Sequence, residues 1–461
     1  MRNPILDDGT EVQGLSTALL FPSIDLFGPP LPKSVGPLTS IVGVTLFQRT
    51  VLTLQRAGIR QLIVLSGPDE DELKQALLRG PRVTVPVRWM PIREFPLNDA
   101  RTWESLAAEV PGFCLLSGVG AVFSRPLIEE LRRDVRGGQV IVVGHSTRNN
   151  NGSDTAEHGW GPDASGGSPD VVVMQASELS IAGRLAAESN TMPITRWLNR
   201  AVSEGRVRLL PNRGNDPSSW CQPVCNDLDL RQAERRLYSS LKGEFEGLVD
   251  RYFNRKLSRW CTRAFVAFGW SPNAVTITAT AIGLLAAAGF AFGTYAAGVA
   301  AALLFQLAAV IDCSDGEVAR LTFTESPFGA WLDLALDNVV HMAIFTGIAI
   351  GAFRQSAGGE GAWIPLALGS AAVLGNALSF LLVNKAQKVK ATSEWKTPLH
   401  AAWSDFMLKN LASRDFSVVV LVFALVGQLE VFLWLAAIGS LVFTGLMAWI
   451  LRPAAVARPC L

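Results

Sequence analysis

The sequence predicts two domains of different fold classes, an N-terminal α/β domain and a C-terminal all-α bundle of six transmembrane helices. Hydrophobic residues make up 49% of the 461 residues and charged residues only 18%, whereas soluble domains carry about 25% charged residues. The long apolar runs all lie after residue 273. We therefore assign residues 1–240 to a soluble domain, 241–272 to a juxtamembrane segment and 273–461 to a membrane domain.

The charge balance gives no reason to expect a nucleic-acid partner. The 41 basic and 40 acidic residues leave a net charge of +1, and nucleic-acid-binding domains are usually strongly basic. The chain does not begin with a basic segment followed by an apolar run, so we expect the first domain to stay in the cytoplasm.

Short strand-forming segments alternate with helical stretches in residues 1–240. Strands are predicted at 17–21, 61–66, 113–117 and 139–144. Alternation of strands and helices is typical of an α/β fold. A stretch rich in glycine, asparagine and serine, residues 148–168, predicts a flexible loop inserted in this domain.

The C-terminal part contains six apolar runs, most of them near the roughly 20 residues that a helix needs to cross a bilayer. They lie near 274–293, 297–318, 331–353, 362–384, 415–429 and 431–451, and the fifth is the shortest. Basic residues are concentrated before the first run, between the fourth and the fifth, and after the last. The positive-inside rule then places both termini in the cytoplasm and the chain in the cell (inner) membrane.

The juxtamembrane segment predicts an amphipathic helix over residues 244–263. Apolar side chains recur there at helical spacing with arginines between them, at Leu248, Tyr252, Phe253, Leu257 and Trp260. Two interpretations are open. The helix lies flat on the membrane surface with its basic side toward lipid phosphates, or it is an ordinary linker helix.

Four aspartates lie at the ends of the second and third apolar runs, where a membrane disfavours charge. Asp312 and Asp315 are three residues apart, and Asp333 and Asp337 are four apart, so each pair lies on one helix face. Antiparallel packing of the two helices would bring the pairs together near the cytoplasmic side. Since all-oxygen ligands suit Mg²⁺ or Mn²⁺, the pattern favours a two-metal site over a solvated charged surface.

The residues around the aspartates carry a family resemblance. From Asp312 the sequence reads D-C-S-D-G-E-V-A-R, and after eight further residues Gly329, Asp333 and Asp337 follow at four-residue steps. This pattern resembles the signature of the CDP-alcohol phosphotransferase (CDP-alcohol phosphatidyltransferase) family without a departure. The resemblance implies a six-helix membrane enzyme, usually a homodimer, that moves a substituted phosphate from a CDP-alcohol to a hydroxyl acceptor and releases CMP.

The resemblance also implies roles for individual residues. Asp312, Asp315 and Asp333 would hold the metals, and Asp337 would be the catalytic base and touch a metal as well. The nucleotide would bind at Asn273, Thr276, Gly316, Ala319, Arg320 and Gly329. His341, one turn after Asp337, either packs in the core or hydrogen-bonds that carboxylate.

The acceptor is less clearly indicated. Phosphate-bearing acceptors need cations, and Lys385, Arg414 and Arg452 each border a predicted span on the cytoplasmic side. A purely topological role for these three residues is equally compatible with their positions. The run Ser413–Phe416 resembles family members that handle inositol phosphates. The donor is either CDP-diacylglycerol or a polar CDP-alcohol such as CDP-inositol.

The stretch Ile41–Gly67 resembles the sugar-phosphate nucleotidyltransferases, and bifunctional enzymes that join such a domain to a CDP-alcohol phosphotransferase domain are the nearest overall likeness. Those enzymes make a CDP-inositol and then consume it. Their glycine-rich phosphate loop has no counterpart in Ala18–Asp25, and no acidic residue lies in 113–123 or 223–226. We therefore predict a degenerate, inactive nucleotidyltransferase-like domain, with a bifunctional enzyme as the alternative.

A second alternative belongs to another functional class. The intramembrane aspartates would also suit a carrier for cations or protons. A carrier needs no nucleotide-sized arrangement of small residues around Gly316, Ala319 and Gly329, so the motif favours the transferase.

Overall fold

The computed structural model describes residues 14–23, 34–135, 140–144, 169–187, 193–211, 218–241, 255–356, 361–391 and 416–451. The chain divides into two compact units, with the boundary between residues 241 and 242. The predicted flexible loop at 148–168 lies outside the described residues.

The N-terminal unit is built on a mainly parallel sheet of seven strands. The strands of the unit are β1 (Thr17–Phe21), β2 (Ser40–Ile41), β3 (Val44–Thr45), β4 (Gln61–Ser66), β5 (Val87–Pro91), β6 (Phe113–Gly118), β7 (Ala121–Phe123), β8 (Val140–Gly144), β9 (Pro169–Gln175), β10 (Val207–Pro211) and β11 (Cys221–Pro223). The large sheet has the order β10-β8-β9-β6-β1-β4-β5. Only β9 runs antiparallel to its neighbours in it.

Strand β1 lies inside this sheet, between β6 and β4, and four of its five residues are apolar. Every residue of β1 is buried, and continuous apolar runs of this kind are typical of strands covered on both faces. The helices of the unit are α1 (Leu46–Arg56), α2 (Glu70–Arg79), α3 (Ala100–Glu109), α4 (Arg125–Asp134), α5 (Ala176–Ala187), α6 (Pro193–Ser203) and α7 (Asp227–Ser239). Trp103 of α3 and Trp197 of α6 are fully buried in the core with strand residues. The predicted α/β fold is confirmed.

The C-terminal unit is entirely helical in its described residues. Its helices are α8 (Arg255–Ala267), α9 (Pro272–Phe290), α10 (Tyr295–Thr322), α11 (Pro327–Gln355), α12 (Ile364–Ala391), α13 (Phe416–Val426) and α14 (Leu429–Ile450). Five of them, α9 to α12 and α14, are long and apolar enough to cross a membrane. The protein is therefore a membrane protein.

The prediction of six spans is met only in part among the described residues. Helix α13 corresponds to the fifth predicted span, but it has only 11 residues. At about 1.5 Å per residue it is about 17 Å long, short of the roughly 30 Å of hydrocarbon in a bilayer. The predicted amphipathic helix is present as α8 from Arg255 onward, and residues 244–254 of that prediction lie outside the described residues.

Two Ser-Pro pairs fix where α9 and α11 begin. The hydroxyls of Ser271 and Ser326 accept hydrogen bonds from backbone N–H groups in the first helical turn, and each serine is followed by a proline at the first helical position. Helix α10 ends at Thr322 and is capped by Phe323, whose φ of +60° is left-handed. This sharp end lets α11 begin only a few residues later, at Pro327.

Candidate functional site

Three of the four aspartates converge between α10 and α11. Asp312, Asp315 and Asp333 each offer a carboxylate oxygen, and these oxygens lie within 4.8 Å of one another. Asp312 and Asp315 are only 8% and 5% exposed. Three buried or half-buried carboxylates repel each other strongly when ionised, and a donor set made only of carboxylate oxygens fits a hard divalent cation. The group could therefore hold a divalent metal ion.

Helix α9 holds one of these carboxylates in place. The hydroxyl of Thr276 donates a hydrogen bond of 2.6 Å to Asp315 Oδ2. The backbone N–H of Gly316 donates to the other carboxylate oxygen of Asp315. Thr276, predicted from the family pattern as a nucleotide contact, thus orients a predicted metal ligand in this structure.

Asp337 lies outside the three-carboxylate group but borders the same space. It follows Asp333 by one helical turn, and both line a cavity of about 630 Å³ together with Asp312. The cavity lies among α9, α10, α11, α12, α13 and α14. Asp337 is thus placed at the side of the carboxylate group where a second substrate has room.

The remaining predicted nucleotide residues lie in the first turn of α9, near the end of α10 and in the first turn of α11. A Cβ added at Gly329 would lie 3.2 Å from Asn273 Oδ1, so these two residues are neighbours. A Cβ at Gly316 would meet only the Arg320 guanidinium, at 3.5 Å or more. The protein itself therefore leaves space at Gly316. Ala319 is buried and Arg320 is exposed.

The predicted acceptor residues are not brought to the cavity by the described structure. Lys385 is exposed on α12 and is not among the described residues that line the cavity. Its neighbour Val383 does line it, and two residues on a helix differ by about 200° in direction. Arg414 and Arg452 lie outside the described residues.

Of the two alternatives expected for His341, packing in the core agrees with the structure. Its ring packs edge-on against Phe305 and Phe416, with ring centroids 6.3 and 4.9 Å apart. Other cavity residues were missed by sequence reasoning. The uncharged polar residues that line the cavity include Asn338, Asn376, Ser379, Ser417 and Ser440. His341 continues the face of α11 that carries Asp333 and Asp337, and this helical spacing was the available signal for it. The residues of α12 to α14 had no such signal.

Among the described residues of the N-terminal unit, the half-buried Asp170 lies near the carboxyl ends of the parallel strands. Asp170, at the start of β9, lies 3.7 Å from Cys221 Sγ. Burial raises the pKa of Asp170 to about 7. The carbonyl of Asp170 accepts a hydrogen bond from Ser117 of β6, at the edge of the sheet where α/β folds bind ligands. Asp25 lies outside the described residues.

Comparison with known families decides what the helical unit is. Residues 270–457 match the family model described as CDP-alcohol phosphatidyltransferase, and this range includes the carboxylate group and the cavity. The helical unit is a CDP-alcohol phosphatidyltransferase domain.

Curated relatives point to the same chemistry. The chain is 28% identical over 351 residues to the "Bifunctional IPC transferase and DIPP synthase" of Rubrobacter xylanophilus, a match that covers 70% of this chain and 75% of the relative. It is 37% identical over 79 residues to the "Archaetidylinositol phosphate synthase" of Methanothermobacter thermautotrophicus, covering 17% of this chain and 39% of the relative.

Among solved structures, the chain is similar to the inositol-1-phosphate CTP transferase from T. maritima. The identity is 13% and the TM-score 0.36, and the match covers 50% of this chain and 98% of the other.

The CDP-alcohol phosphatidyltransferase domain makes the protein an enzyme. It is a membrane transferase that moves a substituted phosphate group from a CDP-alcohol to a hydroxyl acceptor and releases CMP. The family match thereby favours the transferase over the cation carrier.

Proposed function

We propose that the transferase acts on a hydroxyl-rich acceptor of the inositol class. The observation that carries this proposal is the cavity beside the carboxylate group, whose described polar lining beyond the aspartates consists mainly of amide and hydroxyl side chains. Ser417 is buried in this lining, and its hydroxyl has no hydrogen-bond partner among the described residues. A buried hydroxyl left without a partner costs about 1–3 kcal/mol, so a polyol that supplies the bond would bind favourably there. Similarity to two archaetidylinositol phosphate synthases agrees with this class.

The roles proposed for the site residues follow from their positions. Asp312, Asp315 and Asp333 would hold Mg²⁺ or Mn²⁺ in a two-metal site, with Asp337 touching a metal as well. Bound metal would neutralise charge on the pyrophosphate and on the CMP leaving group. Asp337, which faces the cavity, takes the proton from the acceptor hydroxyl as it attacks the phosphorus.

The nucleotide is proposed to lie across the cytoplasmic ends of α9 to α11. Gly316 supports this because a Cβ there would make only ordinary contact with the Arg320 guanidinium, at 3.5 Å, so the packing of the protein does not itself require a glycine. Arg320 is exposed one turn after Gly316 and can meet phosphate oxygens. Asn273 and Gly329 are neighbours, and Ala319, three residues after Gly316 on α10, adds another small side chain.

We also propose the finer topology. Six spans with both termini in the cytoplasm would place the carboxylate group on the cytoplasmic side of the cell (inner) membrane. This proposal takes α13 as the described part of the fifth span. A homodimer is proposed by analogy with the family resemblance.

A purified full-length chain tests the proposed reaction directly. CMP release is measured from CDP-diacylglycerol and from CDP-inositol, each with inositol and with inositol phosphate as acceptor. We expect release with at least one of these pairs, and loss of release in Asp312→Asn but not in Glu430→Gln, which changes an exposed acid on α14. Absence of release with all four pairs would contradict the acceptor class. Phosphate binding would be assigned to Lys385, Arg414 and Arg452 only if their substitution lowers CMP release with inositol phosphate as acceptor but not with inositol.

A bifunctional enzyme is the second candidate, and one observation favours it. The match to the Rubrobacter xylanophilus relative covers 70% of this chain, more than the helical unit alone contains, so the similarity extends into the N-terminal unit. Against it stand the absent glycine-rich loop and the absent acidic residues at 113–123 and 223–226. We therefore propose that the N-terminal domain does not make the CDP-alcohol.

A further inference from the structure

Helix α8 turns its hydroxyl side chains toward the protein and its aromatic and aliphatic side chains outward. Ser258 and Thr262 are fully buried, whereas Trp260 is 73% and Leu257 45% exposed. A helix that faced water would show the reverse pattern. Since α8 ends at Ala267 and the membrane-spanning α9 begins at Pro272, the outward apolar side lies where the membrane surface begins.

The exposed side of α8 is also strongly basic. Its sequence, RKLSRWCTRAFVA, contains four cations and no acidic residue. Arg259 and Arg263 are one helical turn apart, and both are exposed. Exposed apolar side chains between arginines on one short helix are complementary to a lipid surface with anionic headgroups.

The buried side of α8 is attached to α10 by hydrogen bonds. Glu317, which is 4% exposed, accepts bonds from Thr262 Oγ1 at 2.6 Å and from Ser258 Oγ at 3.3 Å. In addition, Ser314 Oγ donates to the backbone carbonyl of Ser258 at 3.2 Å. Buried bonds to a carboxylate are among the stronger hydrogen bonds in proteins, so α8 and α10 are held as one structural piece at this point.

These contacts fall inside the sequence motif of the active site. Ser314 and Glu317 flank Asp315, the carboxylate that Thr276 of α9 also contacts. The motif segment of α10 is thus held by α9 on one side and by α8 on the other. A displacement of α8 would therefore act directly on the segment that carries Asp312 and Asp315.

We propose that α8 docks on an anionic lipid surface, through Leu257, Trp260, Arg259 and Arg263, and that its contact with Glu317 makes the transfer reaction depend on this docking. Glu317 and Thr262 are positioning residues in this arrangement, because neither borders the described cavity. The partner is the lipid bilayer itself, recognised by its negative surface charge and its apolar interior. The experiments that measure CMP release rest on the proposed transferase function. The experiment that measures hydrogen exchange of α8 does not.

The lipid dependence is tested with the full-length chain in vesicles of a zwitterionic phospholipid, to which increasing fractions of an anionic phospholipid are added at a fixed amount of donor. We expect CMP release to rise with the anionic fraction. Removing the two charges in Arg259→Gln/Arg263→Gln should shift the response to higher anionic fractions, because each basic residue near such a surface favours association about five-fold.

A matched control carries the same charge change elsewhere. Arg231 and Arg235 are exposed and also one turn apart, on α7 of the N-terminal unit. The variant Arg231→Gln/Arg235→Gln should follow the wild-type response. Equal activity of the wild type in neutral and anionic vesicles would overturn the proposal, and so would identical responses of the two double variants.

The contact with Glu317 is tested at Thr262. Thr262→Val removes the hydroxyl at nearly constant volume, whereas Thr262→Ser keeps it. We expect Thr262→Val to lower kcat and to lose the response to anionic lipid, and Thr262→Ser to retain both. An unchanged lipid response in Thr262→Val would refute the coupling through Glu317.

A readout independent of activity separates this proposal from the proposed function. Hydrogen exchange of the α8 backbone amides should slow in the wild type when anionic lipid is added, and should not slow in Arg259→Gln/Arg263→Gln. If this protection is seen while no CDP-alcohol yields CMP in any lipid, the proposed reaction fails and the lipid docking stands. If α8 exchanges equally in both lipids, the docking is refuted.

Discussion

Thr276 of α9 donates a 2.6 Å hydrogen bond to Asp315 of α10, so a hydroxyl on the first membrane-spanning helix orients a carboxylate on the second. Thr276 also lies within reach of the carbonyl of Pro272 in its own helix, at 3.1 Å. A residue that the family pattern assigns to the nucleotide therefore already has a task within the protein.

Thr276→Val should raise the concentration of Mg²⁺ or Mn²⁺ needed for half-maximal activity by about ten-fold, since a hydrogen bond to a charged group contributes about 1.5–3 kcal/mol. Thr276→Ser should restore the wild-type value. Thr278→Val is the matched control, because Thr278 donates only to the Ala274 carbonyl of its own helix. Activity is followed as CMP release during a metal titration. Equal metal requirements in Thr276→Val and Thr278→Val would contradict the orienting role.

The carboxylate group should make the reaction dependent on a divalent metal. Exhaustive chelation should abolish CMP release, and Asp312→Asn, Asp315→Asn and Asp333→Asn should each weaken donor binding and turnover together. Asp337→Asn should spare donor binding and lower kcat by orders of magnitude, because a base acts only in the chemical step. Calorimetry measures the affinity for the donor and CMP release measures turnover, so the two patterns can be distinguished. Full turnover after chelation would remove the metal site from the mechanism.

The N-terminal domain should be inactive toward CTP. The full-length chain, given CTP and a phosphorylated polyol, should release no pyrophosphate, because neither a glycine-rich loop nor the expected acidic clusters are present in its sequence. The same preparation should release CMP from a ready-made CDP-alcohol. CTP-dependent pyrophosphate release that disappears in Asp170→Asn would make the protein bifunctional, with Asp170 as a ligand from an unexpected strand.

Asp170 should make the stability of the N-terminal unit depend on pH. Burial raises its pKa from 3.8 to about 7, so the folded form binds a proton that the unfolded form has lost between about pH 4 and pH 7. Stability contributed by the protonated form is therefore present at low pH and lost as the pH rises toward 7, by about 4 kcal/mol in all. Hydrogen exchange of the β1 and β6 amides, compared at pH 5.5 and 7.5 after correction for intrinsic rates, measures this effect. Asp170→Asn should reduce the difference in protection between the two pH values. If the wild type shows no such difference, Asp170 is not held in its protonated form in the folded protein.

The orientation in the membrane can be tested at two loops. A cysteine introduced at Gly358 should react with an impermeant reagent from outside the cell, and one at Ser393 only after the membrane is opened. The reverse pattern at either position would place the carboxylate group on the wrong side of the membrane. Both positions lie outside the described residues, so the labelling tests the sequence prediction itself.

By itself, the sequence determined the division into an α/β part and a helical part, because strand alternation and apolar run length are local properties. It also determined the aspartate pairs, since a spacing of three or four residues fixes a shared helix face before any tertiary contact forms. Three of the four aspartates converge as predicted, Asp312, Asp315 and Asp333, but α10 and α11 both pack mainly against α9 and not against each other. The four predicted strands agree with β1, β4, β6 and β8 over the described residues.

Only the tertiary structure decided which side chains of other helices contact the residues of the motif. No spacing rule connects Thr276 with Asp315, or Thr262 with Glu317, because each pair joins residues about 40 or more positions apart on different helices. The same holds for Ser417 and Asn376 in the cavity, which reach it only through the packing of α12 and α13. Local sequence sets the face on which a side chain lies, but which helix covers that face depends on how all the helices pack together. That packing places Glu317 of α10 against Ser258 and Thr262 of α8.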